Sequence, residues 1–191
     1  RVNTILQLFA SARALSTHIR PSGNRLAIVT NGGGPGVMAT DLAVDMGVRM
    51  AELSPVTLAT LDRVLPASWS RANPLDIIGD ATAERYRAAV DACLDDDGVD
   101  GVLVMLTPQA MTRPTEVAAA VIEAAKNSSK PVLTCWMGEA QVHEGRRLFK
   151  QAGIPYFTTP EPAVEVFSFL SAFYENQRLL MQTPGPLSQQ A

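Results

Sequence analysis

The sequence is poor in the residues that would place it at once in a special class. Its 191 residues include two cysteines, Cys93 and Cys135, too few for the disulfide framework of a small secreted fold. Both fall inside apolar-patterned segments, which predicts buried, reduced thiols in a cytoplasmic protein. There are only two histidines. His18 has no acidic neighbour in sequence and His143 falls on a helix face read as solvated, so neither is assigned a catalytic role, and no metal site is expected. There is no basic excess: the formal net charge is −3 and the isoelectric point is near 5.4, which argues against binding nucleic acid by charge. No apolar run approaches the roughly 20 residues that span a bilayer, and no signal-peptide pattern opens the chain.

What is present is ordinary globular composition, 47% apolar and 18% charged, enough for one substantial core or at most two small ones. The chain opens on Arg1 rather than methionine and closes on the linker-like "TPGPLSQQA", so both ends read as cut from a larger polypeptide. Residues 1–23 are expected to form a helix and a connection from a preceding domain, 24–181 the domain proper, and 182–191 a linker to a following segment. In the first of these, Ile5, Leu8, Phe9, Ala12 and Leu15 share one helical side before "PSG" interrupts the pattern.

After that break, short apolar segments alternate with segments of helical spacing. The strands are read at 25–30, 49–53, 101–107, 131–136 and 155–159. The helices are read near 36–46, 55–65, 82–95, 114–127 and 140–152, with a last one over 161–181. "LAIV" and "VLVML" are continuous apolar runs, as expected of strands buried on both faces. Strand–helix alternation with such strands predicts an α/β fold: a doubly wound parallel sheet of five strands, helices on both faces, in the flavodoxin-like order 2-1-3-4-5. The long connection "PASWSRANPLDIIGDA" is expected to hold a short extra strand at "LDII".

This topology gathers the loops 31–36, 107–113, 137–139 and 159–162 on the carboxyl-end rim of the sheet, where ligands bind in such folds. The first loop, within "TNGGGPGVMATD", is dense in glycine, a residue that loses much backbone freedom on folding. Its amides and the unpaired N–H groups of the following helix suit an anion. Asn31 offers a further side-chain amide, and Pro35 sits where a missing N–H is harmless. Known phosphate loops fit less well. A P-loop needs Gly-Lys-Ser/Thr, and "GPGVMAT" has no lysine. A dinucleotide loop fits only in the loose register Gly34, Gly36, Ala39, with Glu52 as its acidic residue. A phosphoreceiver domain needs acidic residues where Thr30-Asn31 and Thr107-Pro108 stand. A ligand-free turn also remains open.

Three separated blocks, "NRLAIVTNGGGPGVMATD", "NPLDIIGDATAERYRAAVDACLDDDGVDGVLVMLTP" and "KPVLTCWMGE", resemble the NDP-forming acyl-CoA synthetases, relatives of succinyl-CoA synthetase. The similarity covers nearly the whole chain, and within that superfamily the segment resembles the flavodoxin-like domain equivalent to the carboxy-terminal ligase domain of the succinyl-CoA synthetase β subunit. The resemblance implies an enzyme that interconverts acid, CoA and ATP with acyl-CoA, ADP and phosphate through a phosphohistidine. It further implies that Asn31, Gly32, Gly33, Gly34 and Gly36 supply half of the phosphohistidine cradle. The histidine itself belongs to a neighbouring CoA-binding flavodoxin-like domain and the nucleotide to an ATP-grasp domain, so no catalytic residue is assigned here. CoA or acyl-CoA, and ATP or ADP with Mg, are implied for the whole protein, with only phosphate within reach of this part. The closing helix also resembles regions fused to a GNAT acetyltransferase domain, which leaves open a regulatory, acyl-CoA-sensing role in a protein-lysine acetyltransferase. A homo-oligomer is possible in either setting.

Other rim residues are weighed beside these. Asp76, Thr107 and Glu139 are candidate rim contacts. Asn73 and Asp76 are expected to bond locally in the "NPLD" turn, with Asp80 ordering the same rim, and Glu139 is expected to stabilise a helix start. Asp95, Asp96 and Asp97 read as a solvated helix end, and Arg146 and Arg147 as surface charges.

Overall fold

Strand β1, Arg25–Thr30, lies at the centre of the sheet, and its residues Leu26 to Val29 are fully buried. Leu26 and Ile28 face one layer of helices while Ala27 and Val29 face the other, which is why the run is apolar without alternation. Strands β4, Gly101–Leu106, and β5, Val132–Trp136, are buried along their whole length for the same reason. A computed structural model describes residue 2, residues 4–15 and residues 20–182. His18 and the 183–191 part of the expected linker lie outside them.

The remaining strands are β2, Arg49–Met50, β3, Leu75–Asp76, and β6, Tyr156–Phe157. All pairs are parallel and the main order is β2-β1-β4-β5-β6, with β3 also pairing with β1. Leaving β3 aside, this is the expected 2-1-3-4-5 sheet. The helices are α1, Ile5–Leu15; α2, Gly33–Asp45; α3, Pro55–Val64; α4, Ala83–Asp95; α5, Pro114–Lys126; α6, His143–Ala152; and α7, Pro160–Leu180. Ser54 and Thr82 accept hydrogen bonds from Thr57 N and Arg85 N, capping α3 and α4. Gly153 closes α6 with φ of 71°, a left-handed conformation that suits glycine.

The strand expected over 49–53 is only two residues long. Its upper half is replaced by β3, the extra strand expected at "LDII", which pairs with Val29 and Thr30. Between the two short strands the Asn73 side chain acts as the missing rung. Its amide donates to Leu26 O and Ala51 O at 2.8 and 3.0 Å, and its Oδ1 accepts from Ile28 N at 2.9 Å. Asn73 therefore bonds across the sheet rather than locally. The Asn73–Pro74 peptide bond is cis.

The two cores differ in content. Trp136, Tyr86 and Phe149 lie with α3 to α6, where Trp136 meets Phe149 edge-on at 4.6 Å and donates to Pro114 O. Phe167, Met105, Leu26 and Ile28 lie beneath α2 and α7. Each such side chain contributes about 1.5–3 kcal/mol by leaving water. At the amino end of the sheet Arg25 binds Asp100 through Nε, Nη2 and its backbone N–H, and Ser22 Oγ also donates to Asp100. Burial would push the Asp100 carboxyl up, but these bonds outweigh it and hold it below the usual range.

Asp96 corrects the reading of a solvated acidic end. It is 5% exposed and accepts from Ser54 N and Gly98 N. These bonds also outweigh burial and hold its carboxyl low. Cys93 and Cys135 are buried free thiols, each pushed up to about 12 by burial.

Candidate functional site

Helix α2 begins at Gly33, three residues before its expected start, because the first turn of a helix asks little of its residues. The glycines therefore form the helix start itself rather than a loop ahead of it. Gly32 is the N-cap residue, no side chain caps the helix, and the first turn carries no acidic residue. The amide of Gly32 donates to Thr30 Oγ1 and that of Gly36 to Gly32 O. Pro35 has no N–H. The amides of Gly33 and Gly34 are left as the free donors of the helix, at its positive end.

Packing gives some of these glycines, but not all, a reason to lack a side chain. A Cβ on Gly32 would stand 2.7 Å from Thr107 Oγ1, and one on Gly36 would stand 2.9 Å from Thr30 Cγ2. Gly36, expected among the phosphate-binding residues, thus serves to seat α2 on β1, since its amide is already bonded. A Cβ on Gly33 would come within 3.1 Å of Asp76 Oδ2, whereas one on Gly34 would meet nothing within 4 Å. Packing within the described chain does not require glycine at 34.

Asn31 does not present its side-chain amide to the site. It is 2% exposed; its Nδ2 donates to Thr107 O and its Oδ1 accepts from Thr107 N. This two-way clamp ties the ends of β1 and β4 together and fixes the helix start relative to the sheet. Thr107 Oγ1 is enclosed without a partner beside Gly32. Below the same corner the Tyr86 hydroxyl donates to Met105 O, and burial raises it well above its usual range, so it stays a neutral donor.

Asp76 completes this corner. Its Oδ1 accepts from Ile78 N, the local bond expected of the turn, while Oδ2 lies beside Gly33. Asp80 pairs with Arg85 at 2.6 Å, and Arg85 also donates to Ile77 O, which steadies the connection into α4. The structure thus brings Asn31, Gly32, Gly33, Gly34, Thr107 and Asp76 together.

Glu139 stands on the loop after β5, at the start of the short 3-10 helix Ala140–Val142 as its N-cap residue; its carbonyl accepts from Val142 N, and its exposed side chain makes no capping hydrogen bond. Arg146 corrects another reading. It is not a surface charge: its guanidinium donates to Trp136 O and Gly138 O and holds that loop closed. Its place between Gly145 and Phe149, the inward side of α6, is the signal that could have shown this. Arg147, paired with Glu144, and His143 are exposed as expected.

The dinucleotide register does not survive the geometry. The carbonyl of Glu52 lies against Gly98, which precedes β4 at the amino end of the sheet, opposite the glycine corner. Its side chain cannot serve a ribose bound at Gly34. No group of three His, Cys, Asp or Glu among the described residues could hold a metal ion, and no described helix is long and apolar enough to cross a membrane.

Comparison with known proteins places this corner in context. Residues 26–181 match the Ligase-CoA domain family. The chain is 38% identical over 171 residues to acetate–CoA ligase [ADP-forming] I of Archaeoglobus fulgidus, covering 90% of this chain and 24% of that one. It is 36% identical over 126 residues to a succinate–CoA ligase [ADP-forming] subunit beta of Desulfurococcus amylolyticus, covering 65% and 32%. Among solved structures, the dinucleotide forming acetyl-coenzyme A synthetase 1 of Ca. Korarchaeum cryptofilum in complex with phosphate and ADP superimposes with a TM-score of 0.85. That match has 30% identity and covers 96% of this chain and 40% of that one. The chain thus spans between about a quarter and two-fifths of the length of these proteins. With the match running from the second residue of β1 to the end of α7, the chain belongs to the Ligase-CoA domain family.

Proposed function

We propose that this domain is the phosphate-cradling part of an ADP-forming acyl-CoA ligase, which interconverts acid, CoA and ATP with acyl-CoA, ADP and phosphate. The observation that carries the reading is the pair of free amides at Gly33 and Gly34, with open space over Gly34. Two N–H groups at a helix start bind phosphoryl oxygens by charge-assisted hydrogen bonds, aided by the helix dipole. The two-way clamp between Asn31 and Thr107 holds that corner in place.

Asp76 argues for a carried phosphoryl group rather than free phosphate. The single negative charge of a carboxylate beside the amides opposes a free phosphate anion. A phosphoryl group bound to one imidazole nitrogen leaves the other, once protonated, as an N–H that can donate to that carboxylate. The phosphohistidine then arrives on a neighbouring flavodoxin-like domain, while CoA, the nucleotide and its Mg are held by that domain and an ATP-grasp domain.

Gly34→Val is the test, because a Cβ at position 34 meets nothing within 4 Å. Turnover in the assembled protein should fall about 100-fold or more, the size expected when a transition-state donor is blocked. Unchanged turnover overturns the reading.

A further inference from the structure

The glycine corner lies at the carboxyl ends of the strands, and the opposite, amino end of the sheet carries a crevice. It has a volume of about 560 Å³ and opens between the loop 21–24, the turn 46–49 and the second half of α7. That volume falls within the range of roughly 300–1,000 Å³ typical of small-molecule sites. Helix α2 separates the two places. Its thirteen residues start at the glycine corner and end at the cap residue Met46 in the crevice wall, about 20 Å away.

Arg49 gives the crevice its chemistry. Its Nε donates to Asn24 Oδ1 at 2.7 Å, and Asn24 Nδ2 donates in turn to Gly47 O. The guanidinium is thus oriented by a neutral amide, and it has no acidic partner among the described residues. The N–H groups on its Nη atoms remain for a ligand. Arg178, also in the wall, is already matched by Glu175 and donates to Ser22 O, so Arg49 is the uncompensated charge of the lining. The carbonyls at the end of α2, which would repel an anion, are spent: those of Leu42, Ala43 and Val44 accept from the N–H groups of Met46, Val48 and Gly47. Beside the arginine the wall is apolar, formed by Met46, Val48 and the half-buried ring of Tyr174.

We infer that this crevice is a binding site for a small organic acid in its anionic form, a single carboxylate on an apolar body. The carboxylate meets the Nη fork of Arg49, and the body lies against Met46 and Tyr174. A dianion finds no second unmatched cation in the lining, and a neutral apolar molecule leaves the Arg49 charge unanswered. The acid is larger than acetate, which would leave most of the volume empty. The site stands apart from the proposed phosphate cradle, and the inference does not depend on it.

The test is hydrogen–deuterium exchange of the assembled protein, read by mass spectrometry, with 3-phenylpropionate as the probe and 3-phenylpropionamide as its neutral counterpart. At about 10 mM, enough to fill a site of millimolar affinity, the acid should slow exchange in the segments 21–24, 46–50 and 168–178, and the amide should not. Arg49→Gln, at an exposed side chain, should raise the acid concentration needed for the same slowing about tenfold or more. Arg49→Lys, which keeps the charge but loses the fork, should fall between the two. No slowing in these segments overturns the inference, as does equal slowing by the amide or a response that Arg49→Gln leaves unchanged. Slowing confined to the glycine corner also overturns it, in favour of binding at the reaction site alone.

Discussion

Helices α4, α5 and α6 turn Arg87 and Asp91, Glu123 and Lys126, and Glu144 and Arg147 to water as paired charges. Across the sheet, α2 turns out Val37, Met38 and Val44, and α1 turns out Ile5, Leu8, Phe9 and Leu15. The α1 residues do share one helical side, as the spacing predicts, but that side points away from the domain. Exposed ion pairs add little stability, so the charged layer is a surface suited to solvent. The apolar layer has the composition of a surface that meets other protein. The faces of α4, α5 and α6 are thus suited to water and the outer faces of α1 and α2 to contact, and the candidate cradle lies at the start of α2.

The largest effect should come from breaking the core beneath the charged layer. Trp136→Ala removes a fully buried ring, its bond to Pro114 O and its edge contact with Phe149. The loss should be about 3–5 kcal/mol, read from the denaturant midpoint.

Asp100→Asn should cost less, about 2 kcal/mol, because Arg25 keeps partial exposure and solvent screens the pair. It carries a pH signature as well. The folded Asp100 carboxyl lies below its unfolded value of about 3.9, so its stabilisation is present above that pH and is lost as the pH falls through the folded value. The variant should therefore lose less stability than the wild type when acidified below about pH 4. An identical acid slope would contradict the assignment.

The smallest effect belongs to the charged face itself. Arg87→Ala should leave stability within about 0.5 kcal/mol, measured by the same titration. A loss well above that would mean the pairs do more than keep the layer soluble.

How much of this was legible in the sequence follows from the range of the interactions. The strands "LAIV" and "VLVML" are readable because burial on both faces leaves an unbroken apolar run. The division of the second strand is not, because it depends on Asn73 reaching partners 47, 45 and 22 residues away. The start of α2 is misplaced because three glycines and a proline look like a loop, although first-turn residues need neither high helix propensity nor an intrahelical N–H bond. At the site, the glycine density marks the corner correctly. It does not show that Gly32 and Gly36 are glycines for packing, that the Asn31 amide is spent on Thr107, or that Asp76 lies beside Gly33. Each of these depends on a side chain arriving from another strand or loop.

The central claim is that the Gly33 and Gly34 amides hold a phosphoryl group delivered by another domain. Gly34→Val isolates it, since a Cβ at position 34 meets nothing within 4 Å. The decisive measurement is acid-labile phosphoryl incorporation in the assembled Gly34→Val protein, with the unfolding midpoint recorded alongside. The account predicts a wild-type midpoint or slightly better, because valine replaces a more flexible glycine, together with severely reduced incorporation. Wild-type incorporation in a protein of wild-type stability would contradict it.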